Sequence, residues 1–193
     1  MSFVLNAVIF AVTAIIVIRF FFRDGQWDVR RGCYAMRFFT TQSNILCAVA
    51  ALLMCLFPQA RMAWLVKYIG TAAVTVTMLT VFLFLAPSIG KGGLGQLLKG
   101  SDLFMHLITP LLALISFLFL ERRGMSFAVS LLGMLPVLLY GPLYLYRIRF
   151  APKERAWEDF YGFNKGGKWP IAFAVMMLGG FGVCMGLMAI QNM

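Results

Sequence analysis

Residues 38–57 read Phe38-Phe39-Thr40-Thr41-Gln42-Ser43-Asn44-Ile45-Leu46-Cys47-Ala48-Val49-Ala50-Ala51-Leu52-Leu53-Met54-Cys55-Leu56-Phe57. No charged residue occurs in this stretch, and Arg37 and Pro58 bound it. A bilayer core takes about 20 apolar residues of helix, so the segment is long enough to cross a membrane. Its apolar run is continuous rather than alternating, which excludes a barrel strand. Reading outward, five further runs have the same character: Phe3–Phe22, Met62–Ala86, Leu103–Leu120, Met125–Tyr146 and Trp169–Ile190. Pro58, Pro87 and Pro170 stand at expected span ends, because proline cannot continue the backbone ladder. The first run is longer than a signal-peptide core and ends in a basic segment, so it reads as a retained helix. The expected fold is an all-α polytopic membrane protein with six transmembrane helices in one domain, residues 1–193.

Composition agrees with this reading. Hydrophobic residues make up 62% of the chain and charged residues 12%. A soluble domain carries about twice that charge, so a water-facing enzyme is excluded. Disorder needs low hydrophobicity and is excluded too. Seventeen Lys and Arg oppose seven Asp and Glu, a net +10. The distribution of the cations shows what this excess means. Arg23, Arg30, Arg31 and Arg37 fall in the first loop, and Lys91 and Lys99 in the third. Arg147, Arg149, Lys153, Arg155, Lys165 and Lys168 fall in the fifth. The second and fourth loops are assigned only Arg61, Lys67, Arg122 and Arg123. By the positive-inside rule the odd loops are cytoplasmic and both termini face the other side. The excess charge is topology, and no nucleic-acid partner is expected. Arg19 lies near the cytoplasmic end of the first span, where it can snorkel. Four dispersed cysteines and a single histidine do not make a zinc site, and no metal or cofactor is expected.

In hydrocarbon, strongly polar residues point to function. The second span opens with five of them, Thr40, Thr41, Gln42, Ser43 and Asn44. The fourth opens with Ser101-Asp102-Leu103-Phe104-Met105-His106, and Pro110 follows. Both spans start from cytoplasmic loops, so Thr40 and His106 are expected at similar depth. A hydroxyl and an imidazole at one depth have the elements of nucleophile and base. Asp102, four residues before His106, shares its helix face and is a candidate to hold the imidazole tautomer. Pro110 deprives the His106 carbonyl of its helical partner. The competing reading is packing: membrane Ser and Thr commonly bond back to their own helix. The run Thr71, Thr75, Thr77, Thr80 is read that way. Gly90-Lys91-Gly92-Gly93-Leu94-Gly95 lacks a preceding strand and reads as a flexible loop. Gly182-x-x-x-Gly186, with Gly179 and Gly180 nearby, reads as a close helix contact. The fifth loop, with Trp157, Phe160, Tyr161, Phe163 and Trp169 among its cations, reads as an interfacial segment.

Four motifs occur in order: Phe38-Phe39-Thr40-Thr41-Gln42-Ser43-Asn44, His106-x-x-x-Pro110, Pro142-x-Tyr144 and Tyr161-Gly162-Phe163. With them the chain resembles bacterial Pr6Pr-type membrane proteins over nearly its whole length. It also looks like a distant relative of the androgen-induced gene 1 and androgen-dependent tissue-factor-pathway-inhibitor-regulating proteins. The resemblance implies an intramembrane threonine hydrolase of the bacterial inner membrane, acting on fatty acid esters of hydroxy fatty acids or similar acyl esters. An ungapped placement of the motif makes Thr40 the nucleophile, and a one-residue shift would make it Thr41. His106 takes the place of the base. The histidine–proline spacing is one residue shorter here, and a second nearby histidine is missing.

The expectation is therefore a lipid-ester hydrolase with Thr40, His106 and Asp102 catalytic. Thr41, Gln42, Ser43, Asn44 and Tyr161 would bind substrate, with Gln42, Ser43 or Asn44 as oxyanion donors. Arg37, Arg147 or Arg149 would steer its carboxylate. The alternatives are a non-catalytic lipid or small-molecule binder or transporter, and an acyltransferase using the same pocket. The partners expected are the acyl ester and membrane lipids.

Overall fold

The computed structural model describes residues 1–193. Six helices are long and apolar enough to cross a membrane: Ser2–Phe20, Phe39–Leu56, Arg61–Ile89, Ser101–Leu120, Phe127–Arg149 and Trp169–Gln191. The chain is an all-α integral membrane protein. Six antiparallel spans gather both termini with the second and fourth loops at one end. The first, third and fifth loops lie at the other.

The third span is the hub, half buried within the bundle, whereas the first and sixth are 22% buried. It packs most extensively against the second span, which also packs on the first. Small side chains make this possible. Ala48, Ala50 and Ala51 are buried on the second span, and Gly70, Ala72 and Ala73 on the third. A Cβ on Gly70 would stand 2.9 Å from the Cys47 Cα, so only glycine admits this approach. Trp64, Tyr68 and Phe117 fill the neighbouring core toward the termini.

Three expectations about the spans change. Pro87 does not end the third span, which runs on to Ile89. Two widened π-turns explain this, Val81–Leu85 before Pro87 and Phe104–Ile108 before Pro110. A proline ring clashes with the carbonyl four residues earlier, here Leu83 and His106. Each carbonyl sits mid-way in a π-turn, where the wider ladder makes room. Next, Lys67 is not a loop charge. It is wholly buried inside the third span. Finally, Gly182 and Gly186 make no close contact, since a Cβ at either would meet nothing within 4 Å. Gly180 carries the contact instead, against Met134.

The loops at the far end from the termini are ordered. Phe22–Arg23 and Gln26–Trp27 pair as a tiny hairpin. Its turn, Asp24-Gly25, has both φ values positive, as a type I′ turn requires. A helix at Val29–Ala35 follows, its N-terminus capped by Asp28 on the Arg31 amide. The glycine-rich third loop contains a short helix, Gly93–Leu97, where a flexible loop was expected.

Candidate functional site

The second span begins with orphan amides, as every helix does. The Phe39 N–H donates to the Tyr161 hydroxyl at 3.0 Å. The Thr40 and Thr41 amides have no backbone acceptor. Thr40 is half-buried, and its side chain is not tied to its own helix. This contrasts with Thr75, Thr77 and Thr80, which donate to the carbonyls of Thr71, Ala73 and Val76. The reason is local: the residue one turn before Thr40 is Met36, which lies outside the helix that begins at Phe39, and its carbonyl accepts from Gln42 Nε2 at 2.8 Å. The Thr40 hydroxyl instead faces the Tyr161 phenol oxygen.

His106 is 7% exposed. Its Nδ1 lies 2.7 Å from the Leu97 carbonyl oxygen. A carbonyl only accepts, so Nδ1 carries a proton in this contact, and in the neutral ring the lone pair then falls at Nε2. This is the tautomer a general base needs. The expected orienter was Asp102. Its carboxylate makes neither an ion pair nor a hydrogen bond to the ring, and the short helix Gly93–Leu97 supplies the acceptor instead.

Asn44 joins the two motifs. Its Nδ2 donates to the Thr40 carbonyl at 2.8 Å and to the Met105 carbonyl at 3.0 Å. The peptide before His106 is thereby pinned to the turn that carries Thr40. Asn44 Oδ1 is buried without a partner and is a free acceptor in the site. Ser43 Oγ is 3.1 Å from the Thr40 carbonyl and 2.8 Å from Thr77 Oγ1. Thr41 is buried. The donors of Ser43 and Asn44 are engaged by protein groups, whereas exposed Gln42 uses one N–H on Met36 and keeps its second.

The fifth loop closes over the site. Asp159 organises it, accepting from the Tyr144 hydroxyl and the amides of Phe163 and Asn164. Tyr144 accepts from the Tyr161 N–H at 3.1 Å. Two motifs distant in sequence thus form one aromatic cluster, with Tyr144 ring centroids 5.2 Å from Tyr161 and 5.3 Å from Phe163. The Tyr140 hydroxyl donates to the Arg37 carbonyl. Burial pushes the Tyr161 phenol up from its ordinary value, with the Phe39 amide opposing.

The expected carboxylate-steering arginines lie against aromatic rings. Arg37 and Arg147 lie on the Trp157 ring, at 5.9 and 5.4 Å, and Arg147 also donates to the Arg155 carbonyl. Arg149 lies over Phe150. Their guanidinium groups brace the interfacial segment.

At the opposite end is a polar cluster that sequence reading missed. Lys67 Nζ donates to Asn6 Oδ1 at 2.6 Å, and Asn6 Nδ2 donates to Glu121 Oε1. Ser2 Oγ also donates to Glu121 Oε1, at 2.6 Å, and Glu121 Oε2 is unpartnered. The Trp64 indole donates to the Glu121 carbonyl. The available signal was Lys67 itself, a charge six residues inside an apolar helix. Compared with known proteins, the chain matches no family model, no curated protein and no solved structure.

Proposed function

We propose that the protein is an intramembrane ester hydrolase with Thr40 as nucleophile and His106 as base. The observation that carries this reading is the contact of His106 Nδ1 with the Leu97 carbonyl, made from a turn pinned to Thr40 by Asn44; in the neutral ring it leaves the lone pair at Nε2. The resemblance to intramembrane threonine hydrolases supports the same roles. His106 Nε2 takes the Thr40 proton as Oγ attacks the ester carbonyl carbon. The groups at hand for the oxyanion that forms are the helix-start amide of Thr41 and the Tyr161 phenol. The imidazolium then protonates the departing alkoxide, releasing the alcohol and leaving acyl-Thr40. A water gives its proton to His106 and attacks the acyl carbon, freeing the carboxylic acid and restoring Thr40.

The substrate class is a fatty acyl ester, including fatty acid esters of hydroxy fatty acids. The acyl chain stays in the bilayer while the ester sits at the interface. The odd-numbered loops, rich in cations, are assigned to the cytoplasmic face of a bacterial inner membrane, and both termini to the other face.

A fluorophosphonate probe tests the reading. The expected result is an adduct mapped to Thr40 that disappears in His106→Ala. An adduct on Thr41 would move the nucleophile by one residue. No adduct and no ester turnover by folded protein would leave a lipid-binding protein in its place.

A further inference from the structure

A second feature of the same end faces lipid. A groove of about 680 Å³ opens between the first span, the Phe22–Arg23 hairpin and the start of the fourth span. One face of the first span lines it with Val12, Ile15, Ile16 and Arg19. These positions are spaced 3, 1 and 3 apart, so they form one stripe along the helix axis. The stripe has an apolar foot and a cationic head. At 1.5 Å per residue it runs about 10 Å from Val12 to Arg19, parallel to the direction of an acyl chain. Phe104 forms the opposite wall and is 37% exposed. It stands two residues from the buried His106, on the other side of the same helical turn. The groove is therefore separate from the threonine–histidine site.

The rim is positive. Arg19 is exposed and has neither a hydrogen bond nor an ion pair. Arg31 uses one nitrogen on the Phe22 carbonyl, leaving further donors free. Asp24 is the only acid on the rim, and it faces Arg23 at 3.6 Å. Two guanidinium groups over an apolar stripe complement a phosphodiester above an acyl chain. Anionic headgroups are also enriched on the face to which topology assigns this end.

We infer that this groove is a binding site for an anionic phospholipid, held by Arg19 and Arg31 with one acyl chain along Val12, Ile15 and Ile16. The site rests on the groove and its charge, and stands whether or not the protein hydrolyses esters.

Native mass spectrometry of the full-length protein in neutral detergent tests it, comparing phosphatidylglycerol with phosphatidylcholine of the same chains. Wild type is expected to retain phosphatidylglycerol preferentially. Arg19→Gln and Arg31→Gln should each reduce that preference about fivefold. Arg61→Gln, at the opposite end, should leave it intact. Equal retention of the two lipids by wild type, or a preference surviving in the double Arg19→Gln/Arg31→Gln variant, overturns the inference. So does an equal loss in Arg61→Gln. A measurement on wild type alone guards against variants that fail to fold. A phosphatidylglycerol with a diazirine in its acyl chain is expected to cross-link at Val12, Ile15, Ile16 or Phe104. Labelling spread evenly over the six spans overturns the site.

Discussion

The imidazole Nδ1 of His106 lies 2.7 Å from the carbonyl oxygen of Leu97, nine residues earlier. That contact joins a short loop helix to the turn before Pro110. It sets which ring nitrogen carries the proton without a carboxylate. A backbone acceptor keeps the ring aligned and adds no negative charge to the apolar site. Asp102 is freed from the role that a triad would give it.

The first prediction follows from that contact. A triad carboxylate is worth about 10⁴ in kcat. Here Asp102→Asn should leave ester turnover within about threefold of wild type. A loss of two orders of magnitude would return the orienting role to Asp102. The assay is initial rate with a soluble acyl ester in detergent.

Thr40→Ala should abolish both turnover and probe labelling, while Thr41→Ala should keep both. His106→Ala should slow turnover by about 10²–10⁴, the range of general acid–base catalysis. Rates and adduct mass on the same preparations decide the assignment.

Asn44→Leu removes one amide that serves two carbonyls. The Met105 carbonyl then loses the only side chain that reaches it. Leaving such a buried acceptor unpaired costs about 1–3 kcal/mol. The variant should unfold at lower temperature and turn over more slowly, since the Thr40 and His106 turns are no longer joined. Unchanged kcat beside lowered stability would show that the pin is structural only.

Lys67 and Glu121 should behave as a unit through Asn6. Breaking one partner of a buried charged pair costs about 3–5 kcal/mol. Lys67→Met and Glu121→Gln should each destabilise by an amount in that range. The double variant should lose less than the two together, because neither charge is then left alone. Additive losses in a double-mutant cycle would mean that the groups do not interact.

Alkaline stability carries the signature of Tyr161. Burial holds its phenol protonated above the ordinary 10.0. A raised folded value means the contribution is complete below about pH 10 and is lost as pH rises past it, since unfolding releases the proton. Melting temperature should therefore fall as pH rises above about 10, and fall less steeply in Tyr161→Phe. Identical slopes in the two proteins would contradict this.

How much of the site was legible depended on the kind of bond that builds it. The polar opening Thr40–Asn44 and the lone His106 are visible because hydrocarbon makes each such residue costly. Their hydrogen-bond partners are not visible in the same way. The Leu97 carbonyl is a backbone atom that every residue possesses, so no side chain announces it. Asp159 looks like one more interfacial charge until Tyr144, Phe163 and Asn164 are seen around it. Arg37 and Arg147 look like two separate loop cations until both are found against Trp157.

Lys67 shows the opposite case. Counting it with loop charges follows from the expectation that a lysine avoids the bilayer. Asn6 and Glu121, one on the first span and one at the end of the fourth, compensate its burial. Neither is near it in sequence.

The amino-acid sequence by itself determined the six spans and the short roster of polar residues within them. Both follow from the transfer of side chains between water and hydrocarbon, which depends on composition along the chain. Tertiary structure alone decided which polar groups meet, which donors are already engaged, which acceptor His106 Nδ1 finds and where the arginines point. Those outcomes depend on distances of about 3 Å between atoms that are far apart in the chain, and helix packing sets them.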